Sequence, residues 1–248
     1  MQQLYPEHRS MALDELHAGL TLHDGGGAQR TWLAIGMVAT LDGAATVGGR
    51  TDALGGEADH RVFTQLRAAA DTILVGAGTV RAEDYGPAAG PAARREDRAA
   101  RGLDESPRLV IVSGSLDLGP ELRVFSDPQH RPLVVTSGRA SEVRAAGLAE
   151  VAEVVRVGDD ALDVVELLDQ LASRDLRRVL CEGGPRLNGH LLAEDLVDEV
   201  FLTVAPSMFA GDAPRIAHGD RELPPRGFTL ASIHEHEDEL LLRYRRAR

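Results

Sequence analysis

The sequence predicts an α/β protein with a predominantly parallel central sheet, flanked by helices and finished by a C-terminal antiparallel hairpin. Three observations carry this. From Trp32 onward, apolar runs of strand length alternate with segments of helical period, as in strands joined by crossover helices. Two of those runs end in glycine turns, at Gly76 and at Gly183. After a helix that opens at Pro185 the helical period stops, and the last apolar runs read as strands alone.

Taken in order, residues 1–30 form an N-terminal arm, because Pro6 and the Gly25-Gly26-Gly27 run interrupt any sustained period; a short helix fits over 11–18. Residues 31–248 form a single domain. Its strands are expected at 32–39, 72–76, 108–113, 132–136, 151–157 and 178–182. A helix over 58–70 puts Val62, Leu66 and Ala69 on one face, and one over 161–171 does the same with Leu162, Val165, Leu168 and Leu171. Strands at 199–205, 228–234 and 239–245 follow, the last two joined by a turn at 235–238 as a hairpin on the sheet edge. The segment 86–107, with Pro87, Gly90, Pro91 and a charged run, reads as a surface insertion, either solvated loop or short helix.

Composition narrows the class. A chain of 248 residues, 43% hydrophobic and 27% charged, is ordinary globular material, neither disordered nor membrane-spanning. Residues 1–9 lack the apolar core of a secretory signal, and the lone Cys181 cannot form an internal disulfide, so a reduced, cytoplasmic setting is expected. A net charge of −12 repels nucleic acid, which leaves a small molecule as the expected partner, with no membrane. Every basic residue is Arg, a bias that carries no mechanism of its own.

The strongest chemical signal is Cys181-Glu182-Gly183-Gly184-Pro185-Arg186-Leu187. A buried strand ends in two glycines, and proline at the first helical position leaves the free N–H groups of the first turn pointing at an anion. A tight strand-to-helix turn without ligand would use the same residues. Glu182 tilts the balance, since it stands at the carboxyl end of a strand, where ligands of open α/β sheets bind. The second signal, Val75-Gly76-Ala77-Gly78-Thr79-Val80-Arg81, repeats the strand-glycine arrangement, and neither motif has the full dinucleotide fingerprint. The third is Thr40-Leu41-Asp42-Gly43, which leads into Gly48, Gly49, Gly55 and Gly56: five glycines within 14 residues suit a mobile lid or an ordinary flexible loop. Asp42 could equally stabilise that turn. His60 reads as a helix-surface or pocket-wall residue and Cys181 as core. His234 and His236 alternate on one strand without a third metal ligand, so no metal is expected. The run 243–248 reads as a solvated edge strand.

Together T-L-D-G, V-G-A-G-T-V-R, C-E-G-G-P-R-L and D-E-V-F-L-T-V-A-P, in this order, make the chain resemble the reductase domain of the bifunctional deaminase-reductase of riboflavin biosynthesis, a relative of dihydrofolate reductase. The resemblance runs from about Trp32 to Arg245 and implies a dihydrofolate-reductase-like fold, NADPH as cofactor and a homodimer. It places the pyrophosphate on Gly183, Gly184, Arg186 and Leu187, with further cofactor contacts from Gly76, Gly78, Thr79 and Val80. Ser113 and Thr136 would lie near the adenosine and its 2′-phosphate. Substrate would sit between Asp42, Glu182 and the nicotinamide, with Thr40 and Glu83 as substrate-binding positions. The implied reaction is direct hydride transfer to a pyrimidine intermediate, with Asp42 or Glu182 orienting the ring edge and handling a proton. Departures are visible. The family's Lys on the first strand is Gly36 here, its Asp-x-Pro reads Glu83-Asp84-Tyr85, and no H-x-E with P-C-x-x-C is present to hold a deaminase zinc. A pteridine or dihydrofolate-type reductase keeps the same fold and cofactor, and a non-catalytic nucleotide-binding module would keep the glycine turns alone.

Overall fold

The structure, a computed structural model, describes residues 1–23 and 30–247; the Gly25-Gly26-Gly27 run and Arg248 lie outside the described residues. The chain opens with an antiparallel pair, β1 (Gln2–Tyr5) and β2 (Arg9–Ser10). A 3-10 turn at Leu13–Glu15 stands where a helix over 11–18 was expected. His17 takes a φ of +53° and Gly19 one of +69°, left-handed values that no α-helix through this segment could hold. Then follow β3 (Trp32–Thr40), α1 (Glu57–Ala69), β4 (Thr72–Gly76), α2 (Ala77–Ala82), α3 (Ala92–Ala100), β5 (Arg108–Val112) and β6 (Leu133–Thr136). The rest of the order is α4 (Glu142–Leu148), β7 (Glu153–Arg156), α5 (Val164–Ala172), β8 (Arg178–Cys181), α6 (Pro185–Ala193), β9 (Glu199–Ala205), β10 (Phe228–His236) and β11 (Glu239–Arg246). These elements form two units, one made of 1–22, 33–69 and 181–248, the other of 23–32 and 70–180.

In the first unit the strand order is β2-β1-β10-β11-β9-β3. β3 and β9 run parallel in a register that pairs Thr40 with Ala205, and the remaining pairs are antiparallel. All nine residues of β3 are buried, the signature of a strand covered on both faces. The face of α1 expected from its period is the one observed, with Val62, Leu66 and Ala69 buried.

Two expectations fail here. The hairpin of β10 and β11 forms but is the sheet edge only in part, because β1 pairs with the Ile233–Glu235 end of β10 and β11 lies between β10 and β9. The N-terminal arm is therefore part of the sheet. For the same reason the arginines of β11 are not a solvated edge: Arg243 stacks over the Phe201 ring at 5.1 Å, and Arg243 and Arg245 both pair with the fully buried Glu199, at 2.6 and 3.0 Å. His234, also on the covered strand, packs edge-on against His17, and burial pushes the His17 imidazole down to about 3.

The second unit carries the parallel sheet proper, in the order β8-β4-β5-β6-β7, with β4 through β7 paired in parallel. Ile73, Val75, Leu109, Ile111 and Val134 alternate onto one face and pack with Ala77 and Val80 of α2 and Ala145 and Leu148 of α4. Asp163 caps α5 by accepting from the Val165 and Glu166 N–H groups, so the helix starts at Val164 and not at 161. Its buried stripe is accordingly Val164, Leu167, Leu168 and Leu171, and Val165 faces out. The 86–107 insertion contains α3, whose Arg98 is buried and donates to the Ala70 and Asp104 carbonyls at 2.6 and 2.8 Å. Among the described residues no helix is long and apolar enough to cross a membrane.

Candidate functional site

The first unit resumes at Cys181, the last residue of β8, and the chain enters α6 through Glu182, Gly183 and Gly184. Gly183 has a φ of +84°, and a Cβ there would lie 3.1 Å from the Met37 Sδ of β3, so only glycine fits without strain. Gly184 is extended and caps α6, with Pro185 at the first helical position and no side chain closing the end. The first intrahelical bond runs from the Asn188 N–H to the Gly184 carbonyl, so the Arg186 and Leu187 N–H groups precede it. The Arg186 side chain is exposed beside them, and that of Leu187 is buried in the core. The helix is itself fixed. Asn188 donates to the Ile216 carbonyl at 2.7 Å and accepts from the Cys181 thiol, whose burial pushes its pKa up to about 12.

Glu182 was expected to need a ligand, because a buried carboxylate is costly without a polar partner. The structure supplies that partner from within the chain. Arg67, near the end of α1, donates through Nε and Nη2 to the two Glu182 oxygens, each at 2.7 Å, a bidentate pair. The carboxylate holds Arg67 firmly charged, raising its pKa further. Sequence reasoning missed Arg67, since nothing in a helical arginine reveals which strand end it meets. Only its position at the end of the apolar stripe of α1 hinted at the sheet.

Asp42, exposed, is also engaged. Its carboxylate accepts from the Thr40 hydroxyl and from the Phe209 and Ala210 N–H groups, the latter two at 3.1 and 2.7 Å. These bonds, the Thr40 hydroxyl first, hold its pKa below the usual carboxylate range. Thr40 is buried, and its hydroxyl also accepts from the Ala44 N–H at 2.9 Å. Thr40 and Asp42 thus clamp the chain leaving β3 to the chain leaving β9, which is the turn-stabilising alternative for Asp42.

The remaining candidates lie in the second unit. Gly76 caps α2, Gly78, Thr79 and Val80 occupy its first turns, and Glu83 ends it. A Cβ on Gly78 would meet nothing within 4 Å, so its backbone is open to approach, whereas Val80 is core. Ser113 spends its hydroxyl on the Leu116 N–H at 3.0 Å. Thr136 is buried with a hydroxyl that has no hydrogen-bond partner among the described residues. His60 is exposed and lines an open cleft with Leu13, Asp14, Glu57, Arg61 and Thr64.

A glycine turn at the carboxyl end of a strand, opening into an uncapped helix beside a carboxylate, is the arrangement by which α/β enzymes take up a nucleotide phosphate. The model of the RibD C-terminal domain matches residues 31–242, and the chain belongs to that family. It is 32% identical over 193 residues to the 2,5-diamino-6-ribosylamino-4(3H)-pyrimidinone 5′-phosphate reductase of Archaeoglobus fulgidus, covering 77% of this chain and 88% of that one. It is 31% identical over 173 residues to the riboflavin biosynthesis protein RibD of Mycobacterium tuberculosis, of which it spans 41%. The crystal structure of a pyrimidine reductase-like protein from Corynebacterium diphtheriae superposes with a TM-score of 0.85 at 26% identity, covering 96% of this chain and all of that one. The chain is thus a reductase of the riboflavin-biosynthesis type. Such a reductase draws on a nicotinamide cofactor, and the residues fit one: the close approach at Gly183 and the uncapped start of α6 suit a phosphate, and Gly78 leaves its own backbone open.

Proposed function

We propose that this chain reduces a ribosylaminopyrimidine phosphate with NADPH, and that its substrate is the diamino pyrimidinone named for the Archaeoglobus relative. What supports the reading is the family match across 31–242, which takes in the Thr40, Gly76 and Glu182 motifs together. The bound cofactor would supply a hydride to an electrophilic carbon of the substrate. Gly183, Gly184 and the Arg186 and Leu187 N–H groups bind pyrophosphate, and Gly76, Gly78, Thr79 and Val80 add cofactor contacts. Ser113 and Thr136 stand nearest the adenosine and its 2′-phosphate. Glu182 accepts from the ring edge in an orientation fixed by Arg67. Asp42, already accepting three hydrogen bonds, keeps the β3 exit in place and is a poor proton donor at neutral pH. Thr40 acts with it, and Glu83 is a substrate contact. Residues 31–248 act as one catalytic domain in a homodimer, a reading that rests on the family resemblance.

The test is NADPH oxidation by the purified protein with the diamino pyrimidinone phosphate, its deaminated counterpart and dihydrofolate in parallel. Turnover with the diamino compound and none with dihydrofolate is expected. Faster turnover of the deaminated compound would reassign the substrate, and of dihydrofolate the substrate class. Tight NADPH binding without any turnover would reduce the protein to a nucleotide-binding module. Equal affinities for NADPH and NADH by calorimetry would remove Ser113 and Thr136 from the 2′-phosphate.

A further inference from the structure

The glycine-rich segment between β3 and α1 is fastened to the first unit at its far end, and the fastening contains two carboxyl groups. Leu54 packs with Val38 and Ala205 in a small apolar cluster. Immediately after it, the Gly56 N–H donates to Glu239 Oε1 at 2.6 Å. Gly55 and Gly56 are each pressed on a carboxyl group. A Cβ on Gly55 would lie 2.0 Å from Asp59 Oδ2, and one on Gly56 would lie 3.0 Å from Glu239 Oε2. Asp59 and Glu239 are both buried, and the Asp59 Oδ1 has no hydrogen-bond partner among the described residues.

We propose that Asp59 and Glu239 form a proton-dependent latch on the 41–56 segment, closed when Asp59 carries a proton and loosened when Asp59 gives it up. A buried carboxylate without a full set of partners, near a second carboxylate, favours the neutral form. Among the described residues, three groups act on Asp59. Glu239 comes from β11, His60 from α1 itself, and β9 contributes the Thr203 hydroxyl, which hydrogen-bonds to Asp59. Burial acts most strongly and Glu239 adds to it, while the Thr203 hydroxyl and His60 act in the opposite sense; the result is a pKa raised from 3.8 to about 6. A group whose pKa is raised in the closed form stabilises that form fully below its released value. It loses the contribution as pH rises through the raised value. Closure is therefore favoured in mild acid and weakened toward neutrality. With these two values, the closing equilibrium falls about tenfold between about pH 5 and about pH 7.5.

This inference is independent of which substrate the enzyme takes, since its readout is the backbone of the segment itself. Amide hydrogen exchange over 41–57 in the intact protein, corrected for the intrinsic pH dependence of exchange, should show about tenfold more frequent opening at the higher pH. Asp59→Asn, neutral at both pH values, should be protected at both. Glu239→Gln, which keeps an acceptor for Gly56 and removes the second charge, should narrow the difference between the two pH values. Equal corrected protection in the wild-type protein at the two pH values would overturn the latch, and so would an unchanged pH dependence in Asp59→Asn. The wild-type comparison requires no variant to fold.

Discussion

Glu182 shows how a single partner changes the meaning of a residue. Alone at a strand end it reads as a ligand waiting for substrate; joined to Arg67 it is also a structural ion pair, with its own side chain 4% exposed and that of Arg67 33%. Glu182→Gln removes the charge and one of two matched bonds. We expect a loss of about 2 kcal/mol of stability by urea denaturation, less than for a fully buried pair because the guanidinium keeps a share of water. If Glu182 also touches substrate, kcat/KM should fall about tenfold to a hundredfold with NADPH affinity little changed. Full activity in a destabilised variant would confine the residue to structure. Asp42 makes the opposite prediction from Asp59. Its pKa is depressed in the folded chain, so its hold on Phe209 and Ala210 is complete above the ordinary value of 3.8 and is lost only as pH falls below it. Exchange protection of those two amides should be constant from about pH 8 to about pH 5 and weaken only in stronger acid.

At the scale of elements, the turn from β8 into α6 separates two adjacent glycines with different duties. Gly183 needs its positive φ and the space beside Met37, so Gly183→Ala should cost about 1–2 kcal/mol of stability in a denaturation experiment. Gly184 is extended, a conformation that a β-branched residue adopts readily. Gly184→Val should therefore fold and yet bind NADPH far more weakly, because it adds bulk at the backbone position proposed for the pyrophosphate. Unchanged affinity by calorimetry in that variant would place the phosphate elsewhere. Helix α3 is a different case: its sequence is polar and solvent-like, and it is anchored through one buried arginine, Arg98, which donates to two backbone carbonyls.

For the molecule as a whole, the N-terminal strands decide how one sheet edge meets solvent. β1 pairs with β10 over Ile233–Glu235, and β2, only two residues long, lies outside β1 at that end. Short edge strands resist pairing with other chains. Removing residues 1–10 should uncover the Ile233–Glu235 end of β10 and leave a nine-residue strand open along its whole length, and light scattering should then detect association absent from the full chain. An equally dispersed truncated protein would show that β1 is dispensable for protecting the edge. The same measurement on the full chain tests the homodimer.

Much of this was legible in the order of residues. The period-2 and period-3.6 patterns placed β3, β4, β9 and α1 to within a residue or so, because burial on a sheet or under a helix is a local requirement repeated along the chain. The glycine turns were legible for a related reason, since a positive φ or a close approach restricts residue type at one position. What the sequence could not disclose were the pairings between distant segments: Arg67 with Glu182, Asp42 with the 209–210 backbone, Glu239 with Gly56, and β1 with β10. Each of these joins residues whose separation along the chain carries no signal, and in each a polar group looks unassigned until its partner arrives. Tertiary structure alone decides where buried polar groups are satisfied, because a hydrogen bond constrains two positions in space and neither in sequence.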